Sequence, residues 1–351
     1  MGVTIKDEGI CQGSIFDGVK PLKITKPLRL IELFAGIGAQ AKALENLGVN
    51  FEHYRICEFD KYAVASYNAV HGTNFTTSDI TKIHAEDLGI IETDKYEYIM
   101  TYSFPCTDLS KAGKQQGMSR ESGTRSGLLW EVERLLKETT QLPQILLMEN
   151  VPDVLSDKNK KDFFAWCSFL ENLGYTNKYS VLNAKDFGVP QNRERCFMLS
   201  WLGGDYYYDF PNKFPLSIRL KDVLEKKVDE KYYLSEKNID CILKWKSYQN
   251  PFDSICAYNS ISPTITTRVV DSASMVLYSH KLSERSIIKK RDELKYLSIR
   301  RLTEKECWRL MGFDDESFSR AKKKVRNSQL YKQAGNSIVV DVLMAIFKKL
   351  F

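Results

Sequence analysis

Apolar runs and helical patterns alternate through residues 29–200, and this alternation predicts βαβ units. The expected strands cover residues 29–34, 51–57, 96–102, 144–148 and 195–201. The expected helices lie between them at residues 39–47, 61–70, 127–139 and 161–173, with Gly48 and Gly174 where two of them end. Strands joined through helices run parallel, so we expect an α/β fold with a doubly wound, mostly parallel, Rossmann-like sheet.

The pattern changes after residue 201. Residues 203–300 are rich in Tyr, Lys, Ser and Asn and carry short β-like pieces at 257–261, 264–270 and 274–278, which predicts a second, smaller and irregular domain. Helical patterns return at residues 303–311 and 337–351. The expected division is an arm (1–27), a main domain (28–224), a second domain with its hinge (225–325) and a C-terminal segment that returns to the main domain (326–351).

Charge is unevenly distributed along the chain. The net charge of the whole chain is +6, whereas residues 213–301 hold 18 Lys and Arg against 11 Asp and Glu, a net charge of +7. A basic block on a near-neutral body fits a polyanionic partner, and a solvated lysine-rich surface explains it equally well. No apolar run of 18 residues and no apolar signal core occurs, so we expect neither a membrane span nor secretion.

Cysteine and histidine usage argues against a metal site. None of the eight cysteines forms a Cys-x-x-Cys pair, and none lies near one of the four histidines at zinc-ligand spacing. We therefore expect no metal, and we expect reduced thiols in a cytoplasmic protein.

A glycine-rich turn follows the first expected strand. The sequence LFAGIGAQA at residues 33–41 fits G-x-G-x-x-G/A, in which Gly36 permits a tight turn, Gly38 permits close approach of backbone and Ala41 packs helix against strand. Glu58 follows about twenty residues later, where a carboxylate can accept both hydroxyls of an adenosine ribose. Asp79, after a third expected short strand, is placed to accept from an adenine amino group or to cap a helix. NAD, FAD and S-adenosylmethionine folds all use such a turn, and glycines also serve plain strand–helix turns.

Three further motifs lie at the ends of expected strands. The sequence YSFPCTDLS (102–110) places Cys106 just beyond a strand's carboxyl end, where ligands bind in open α/β sheets and where a thiol can act as a nucleophile. The sequence LLMENV (146–151) ends a buried strand at Glu149, a candidate acid whose pKa burial would raise. The sequence QNRER (191–195) carries Arg193 and Arg195, which point the same way from extended chain and can grip a carbonyl or a phosphate.

The order of these motifs is specific. Gly-x-Gly, Pro-Cys, Glu-Asn-Val, Gln-x-Arg-x-Arg and a final GNS (335–337) closely resemble the DNA (cytosine-5-)-methyltransferase family. The resemblance covers residues 28–200 and 300–351, and residues 203–299 match at SPTIT (262–266) alone. One departure is Thr107, where the family has glutamine after the cysteine, and this puts in doubt the contacts of that position with DNA.

The resemblance implies a covalent mechanism and assigns four catalytic residues. Cys106 would be the thiolate that adds to C6 of a flipped cytosine, which makes C5 nucleophilic. Glu149 would hydrogen-bond N3 and the exocyclic amine, Arg195 would hold the O2 side, and Arg193 would order the loop. The product would be 5-methylcytosine, with a water as a candidate base for the C5 proton.

The resemblance also implies S-adenosylmethionine as cofactor, S-adenosylhomocysteine as its product, and double-stranded DNA as substrate. The expected cofactor contacts are Phe34, Gly36, Gly38, Glu58, Asp79, Ile80, Pro105, Leu128, Asn336 and Ser337. The expected DNA contacts are Ser110, Lys111 and Lys114 on a mobile loop, and Thr264 and Arg268 in a target recognition domain spanning about residues 225–300. A restriction endonuclease acting on the same site is a candidate partner, and we expect a monomer.

Three other functions fit part of the sequence. A tRNA cytosine-5-methyltransferase would keep the chemistry, but the long basic block argues for DNA. A nicotinamide-dependent oxidoreductase would use the glycine turn and leave the other motifs unexplained. A DNA-binding module without catalysis would not require every catalytic position to be filled. The recognised DNA sequence cannot be deduced from the residues.

Overall fold

Strands and helices alternate through the first two thirds of the protein, as the apolar pattern predicts. The computed structural model describes residues 19–106, 109, 117–118, 125–235, 237, 255–267, 275–278 and 298–351. The strands are β1 (Lys20–Pro21), β2 (Leu28–Leu33), β3 (Phe51–Cys57), β4 (Glu97–Tyr102), β5 (Ile145–Asn150), β6 (Tyr175–Asn183), β7 (Gln191–Asn192), β8 (Glu194–Leu202), β9 (Tyr206–Tyr207), β10 (Ile255–Ala257), β11 (Ser262–Pro263), β12 (Met275–Tyr278) and β13 (Ser298–Arg301). The helices are α1 (Ala39–Asn46), α2 (Lys61–His71), α3 (Ala85–Leu88), α4 (Leu129–Glu138), α5 (Lys160–Asn172), α6 (Leu220–Val223), α7 (Glu304–Arg309), α8 (Asp315–Lys322), α9 (Asn327–Asn336) and α10 (Val340–Phe347).

A six-stranded sheet forms the centre of the molecule, with the strand order β3-β2-β4-β5-β8-β6. The first four strands pair in parallel, and β8 and β6 complete the sheet with antiparallel pairings. This confirms the predicted doubly wound, mostly parallel α/β fold. The strand order reverses at β2, with β3 on one side and β4 on the other, so ligands of such folds bind at the carboxyl ends of β2 and β4.

Both faces of the sheet are covered, which explains why its central strands are nearly continuous apolar runs. In β2, Leu28 and Leu30 belong to one hydrophobic cluster and Ile31 and Leu33 to the other. The first cluster includes α1 and the C-terminal α10, which pack together. The end of the chain therefore belongs to the layer that supports the glycine turn. Among the described residues, no helix is long and apolar enough to cross a membrane.

Small sheets occupy the region after β8. Strands β10, β12 and β13 form one sheet, and β7 pairs with β11 in another. Arg300 on β13 donates to both carboxylate oxygens of Glu306 on α7, at 2.7 and 2.8 Å, and both side chains are buried. The irregular region is thereby joined to the C-terminal helices through a charged pair shielded from water. The predicted residue limits of the domains stay a prediction.

Several predicted elements differ from the structure. No strand precedes Ser78; residues 73–79 are irregular, and the Ser78 N–H donates to the Glu58 carbonyl. The helix expected at 337–351 is observed as the shorter α10 (Val340–Phe347), and Ser337 is instead the extended residue that ends α9. Strand β6 and helix α9 were not predicted, because their partly exposed positions carry polar side chains that weaken the apolar period.

The short strands of the irregular region are also shifted. The pieces expected at 257–261 and 264–270 are observed as Ile255–Ala257 and Ser262–Pro263, and residues 268–270 lie outside the described residues. The Ile265 N–H donates to the side chain of Gln191 on β7, at 2.9 Å, rather than to the backbone of a strand. The piece expected at 274–278 is observed as Met275–Tyr278.

Gly38 is required by packing as well as by conformation. Its φ is +78°, and a Cβ at this position would lie 2.3 Å from Nε2 of His71 and 2.6 Å from Cε2 of Tyr67. Gly48 has a similar φ of +68° but no atom within 4 Å of such a Cβ. The sequence predicted close approach of backbone at Gly38, whereas in the structure the side chains of α2 pack there.

We expect Gly38→Ala to destabilise the protein more than Gly48→Ala. The positive φ costs either variant about 1–2 kcal/mol, and forcing a methyl into a packed site adds about 1–3 kcal/mol at position 38 alone. Urea unfolding of the two variants measures the difference in the free energy of unfolding. Equal losses in the two variants would contradict the packing argument.

Candidate active site

Four loops and strand ends converge at one edge of the central sheet. The glycine turn follows β2, the segment at 103–106 follows β4, and Glu149 and Asn150 end β5. Strand β8 runs antiparallel to β5, with Asn150 opposite Cys196, so the residues that begin β8 lie at the same edge. The fold thus brings together motifs that lie far apart in the sequence. Gly36 and Arg195, for example, are 159 positions apart.

The glycine turn is held by Glu58. The N–H of Gly36 donates to one carboxylate oxygen of Glu58 at 2.9 Å, and the N–H of Asp60 donates to the other at 2.8 Å. Burial raises the pKa of Glu58, and the hydrogen bonds from these two N–H groups oppose that rise. Gly36 has a φ of +58°, and a Cβ there would meet no atom within 4 Å. The turn therefore leaves open space beside a carboxylate of fixed orientation.

The structure also describes the other predicted cofactor residues. Phe34 has a φ of 57°, unusual for a residue with a side chain, so the backbone is strained where β2 ends. One oxygen of Asp79 accepts from both the N–H and the hydroxyl of Thr81, at 3.0 and 2.8 Å. Ile80 and Ser337 are buried, Asn336 is exposed, and Pro105 and Leu128 are partly buried.

The sequence reasoning missed Phe59 as a candidate site residue. It follows Glu58 directly, and 77% of its side chain is exposed. An aromatic residue next to the acidic residue of a glycine-turn motif was the available signal.

Two hydrogen bonds hold the segment that carries Cys106 in place. The Ser126 hydroxyl donates to the Pro105 carbonyl at 2.7 Å, and the Asn150 side-chain amide donates to the Phe104 carbonyl at 3.0 Å. Asn150, the residue after Glu149, thus links β5 to the cysteine segment. The sequence reasoning did not assign this function to Asn150 or to Ser126.

Cys106 lies among three ionisable groups. Its side chain is half-buried, and burial raises the pKa of the Cys106 thiol. The positive charges of Arg195 and Arg193 lower this pKa, whereas the negative charge of Glu149 raises it. The three side chains that the sequence grouped with Cys106 are therefore its electrostatic neighbours, and the site can tune its protonation.

Glu149 and Arg195 form an ion pair with little exposure to water. The Arg195 Nε lies 3.1 Å from a carboxylate oxygen of Glu149. Burial raises the pKa of Glu149, as its place at the end of a buried strand predicted, and the charges of Arg195 and Arg193 oppose the rise without cancelling it. Glu149 can therefore take up a proton more readily than an exposed carboxylate.

Arg193 connects three distant segments. Its guanidinium donates to the carbonyls of Ile265, Gly335 and Ser337 at 2.8, 3.0 and 2.8 Å. Gln191 adds a bond from its side-chain amide to the Leu310 carbonyl at 2.7 Å. This geometry supports the predicted loop-ordering role of Arg193, and its place among the catalytic residues stays a prediction.

Gly335 is packed against the same junction. A Cβ at this position would lie 2.4 Å from backbone atoms of Thr266 and Thr267. The GNS motif therefore requires glycine at position 335, because the backbone of Thr266 and Thr267 passes directly against it.

Most of the predicted DNA contacts fall outside the described residues. These are Ser110, Lys111, Lys114 and Arg268, and Thr107 also lies there. Thr264 is described, and its hydroxyl donates to the Asn192 carbonyl at 2.7 Å.

One edge of the Rossmann-like sheet thus carries a glycine turn with an acidic partner, a hydrogen-bonded Pro-Cys segment and a buried Glu–Arg pair. The family model of the C-5 cytosine-specific DNA methylase matches residues 28–351. The chain therefore belongs to the C-5 cytosine-specific DNA methylase family, and it is a DNA cytosine-5-methyltransferase.

Two relatives agree with this assignment, and a solved structure agrees with the fold. The chain is 34% identical to the type II methyltransferase M2.ScrFI of Lactococcus lactis subsp. cremoris, over 92% of this chain and 99% of the relative. It is also 34% identical to the orphan methyltransferase M.SssI of Spiroplasma monobiae, over 93% and 98%. The fold is similar to that of the S. pombe Dnmt2 methyltransferase, with a TM-score of 0.71 and 23% identity over 93% of this chain and 98% of that one.

Proposed function

We propose that the protein transfers a methyl group from S-adenosylmethionine to C5 of a flipped cytosine in a short duplex DNA site, through a covalent bond between Cys106 and C6. The observation that carries the proposal is the grouping of Cys106 with Glu149 and Arg195 at one edge of the sheet, in mutual electrostatic contact. C5 of cytosine is a poor nucleophile. This set of side chains supplies the thiolate and the proton donor that would activate it.

In the proposed reaction, Cys106 is added to the ring and later expelled, and N3 gains a proton and later loses it. The Cys106 thiolate adds to C6, and Glu149 donates a proton to N3 and accepts a hydrogen bond from the exocyclic amine, so the ring becomes an enamine. C5 would then attack the methyl group of S-adenosylmethionine; the bond between that methyl group and the sulfonium sulfur would break, and S-adenosylhomocysteine would leave as a neutral thioether. A base, for which we propose a water, removes the C5 proton, N3 gives its proton back, and the electron pair expels Cys106 as a thiolate.

Arg195 has two functions in this scheme. Its charge lowers the pKa of the Cys106 thiol, and its pairing with Glu149 orients the carboxyl group. The guanidinium also offers donors for the O2 side of the base.

The residues around the glycine turn fit the adenosine end of the cofactor. Glu58 is fixed by the N–H groups of Gly36 and Asp60, and its carboxylate can still accept a hydrogen bond from a ribose hydroxyl. The open space at Gly36 lets the backbone approach the ligand, and the exposed Phe59 offers a flat face for the adenine. The other contacts proposed are Phe34, Gly38, Asp79, Ile80, Pro105, Leu128, Asn336 and Ser337.

Duplex DNA requires base flipping, because C6 is inaccessible in the stack, at a cost of a few kcal/mol. We propose that the loop at residues 110–118 closes over the flipped base and that residues 225–300 are the target recognition domain, whose basic block contacts phosphates. Binding should then weaken steeply with salt. We further propose the predicted domain limits, a monomeric cytoplasmic enzyme, and a restriction endonuclease that acts on the same site.

Bisulfite sequencing of plasmid DNA from cells that express this chain tests the proposal. We expect protected cytosines in one fixed short context, and no protection in cells that express Cys106→Ser. The context gives the recognition site directly. Absence of protection with the active-site cysteine intact would contradict DNA as the substrate, and tRNA would be the next acceptor to assay.

A further inference from the structure

A charged hydrogen-bond network lies against the glycine turn. His71 is the last residue of α2, and its side chain has no exposed surface. Its Nε2 lies 3.1 Å from the carbonyl oxygen of Ile37, between the two glycines of the turn, and its Nδ1 lies 2.6 Å from a carboxylate oxygen of Glu45 on α1. One imidazole ring therefore connects the turn to two helices.

Both groups that face His71 are hydrogen-bond acceptors. A neutral imidazole has one N–H and can satisfy one of them, whereas an imidazolium satisfies both. Burial raises the pKa of Glu45, but the hydrogen bond from His71, together with the charges of His71 and Lys42, holds it below its ordinary value. Glu45 is therefore ionised, and the proton between the two residues belongs to the ring.

The second imidazole beside this pair carries no positive charge. Burial and the charge of His71 lower the pKa of His53, on β3, to about 4, so His53 is neutral. The Nδ1 of His53 lies 3.2 Å from the Tyr67 hydroxyl, which donates to the buried Glu32 of β2 at 2.5 Å. Glu32 also accepts from the N–H of Ala41 in α1 at 3.3 Å, so the network joins the strand before the turn to the helix after it.

We propose that His71, as an imidazolium, is a positioning residue for the cofactor turn: its Nε2–H fixes the Ile37 carbonyl, and its Nδ1–H fixes Glu45. The inference rests on the proposed function, because the turn is the proposed cofactor site. Gly36, whose N–H binds Glu58, immediately precedes Ile37, so rotation of the Ile37 carbonyl would disturb the carboxylate that accepts the ribose. His71 thus acts on cofactor affinity through the turn, without touching the reacting atoms.

A divalent cation on Glu45, His53 and His71 is the competing explanation, because their ligand atoms lie within 4.8 Å of one another. The distances favour a proton. Two ligand atoms on a tetrahedral zinc, each about 2.0–2.1 Å from the metal, lie roughly 3.3 Å apart. The 2.6 Å between His71 and Glu45 is shorter than this and has the length of a charge-assisted hydrogen bond.

Two substitutions separate the bonds of His71. The amide nitrogen of His71→Gln reaches the place of Nε2 and keeps a donor for the Ile37 carbonyl, while His71→Asn keeps a donor at the place of Nδ1 and loses Ile37. We expect the Kd for S-adenosylmethionine, by calorimetry, to rise about tenfold in His71→Asn and no more than about threefold in His71→Gln. His84→Asn, which changes an exposed histidine, is the control.

The kinetic constants separate positioning from general damage to the fold. In both His71 variants, kcat at saturating cofactor and DNA should stay within about twofold of wild type, and the rise should fall on the KM for the cofactor. A merely structural role would lower thermal stability and kcat together, with equal effects of Gln and Asn. Equal cofactor affinity of the two variants and wild type would overturn the inference, whereas a wild-type protein that binds no S-adenosylmethionine would overturn the proposed function.

The protonation state can be read in the unaltered protein. Nitrogen NMR of ¹⁵N-histidine-labelled, EDTA-treated enzyme should show two protonated ring nitrogens for His71 at neutral pH, assigned by their loss in His71→Gln. This measurement stands even if His71→Asn fails to fold. A single protonated nitrogen, or cofactor binding that EDTA abolishes and zinc restores, would overturn the imidazolium.

Discussion

Cys106→Ser is expected to reduce methyl transfer by at least about a thousandfold while the Kd values for DNA and cofactor stay within about threefold of wild type. A serine hydroxyl is a far weaker nucleophile than a thiolate, and the positive charges that lower the pKa of the Cys106 thiol cannot ionise an alcohol at neutral pH. The side chain is nearly isosteric, so the Phe104 and Pro105 carbonyl contacts that fasten the segment should persist. Single-turnover transfer of labelled methyl groups measures the effect.

Two further measurements make this result specific. Cys11→Ser changes a cysteine outside all five motifs and should retain full activity. DNA that carries 5-fluorocytosine in the target site should trap wild-type enzyme as a covalent adduct, because fluorine cannot leave C5 as a proton does, and Cys106→Ser should form none. Substantial methylation by the serine variant, or an adduct formed without Cys106, would refute the covalent mechanism.

The side chains proposed as catalytic could be located from the sequence because each lies next to the end or near the start of a strand that the apolar pattern predicts. Cys106 comes after β4, Glu149 lies in β5, and Arg195 is the second residue of β8. Carboxyl ends of parallel strands share one edge of a sheet, so adjacency in space followed from the fold class alone. Arg195 reaches the same edge because β8 is antiparallel, a feature that the strand patterns do not encode.

The hydrogen bonds that hold the site residues in place could not be predicted from the sequence. Arg193 binds the backbone carbonyls of Ile265, Gly335 and Ser337, and every residue type has such a carbonyl, so no side-chain identity marks the partner. His71 and Glu45 meet because α2 and α1 pack beside the same turn, and residue spacing does not fix how two helices pack. For the same reason, spacing along the sequence does not group this pair with His53 on β3, although the side-chain ligand atoms of all three residues lie within 4.8 Å of one another.

Glu149→Gln is expected to lower kcat by about 100- to 1,000-fold with little change in DNA affinity. The amide can donate to N3 and accept from the exocyclic amine of the flipped base, so the ground-state hydrogen bonds are kept. It cannot give N3 a proton, so the charge that develops when the thiolate adds to C6 goes unneutralised. Glu194→Gln, which changes an exposed carboxylate on the same strand as Arg195, is the matched control and should be nearly silent.

The same substitution should have the opposite effect on the thiol. Burial and then the Glu149 charge raise the pKa of Cys106, so loss of that charge lowers this pKa and increases the thiolate fraction at neutral pH. Alkylation of Cys106 by iodoacetamide should therefore be faster in Glu149→Gln than in wild type, with its pH profile displaced to lower pH. Slower methylation by a more reactive cysteine would separate the proton-donating role of Glu149 from any effect on the nucleophile. Slower alkylation in the variant would instead show that Glu149 serves to generate the thiolate, and the assignment of its proton to N3 would fail.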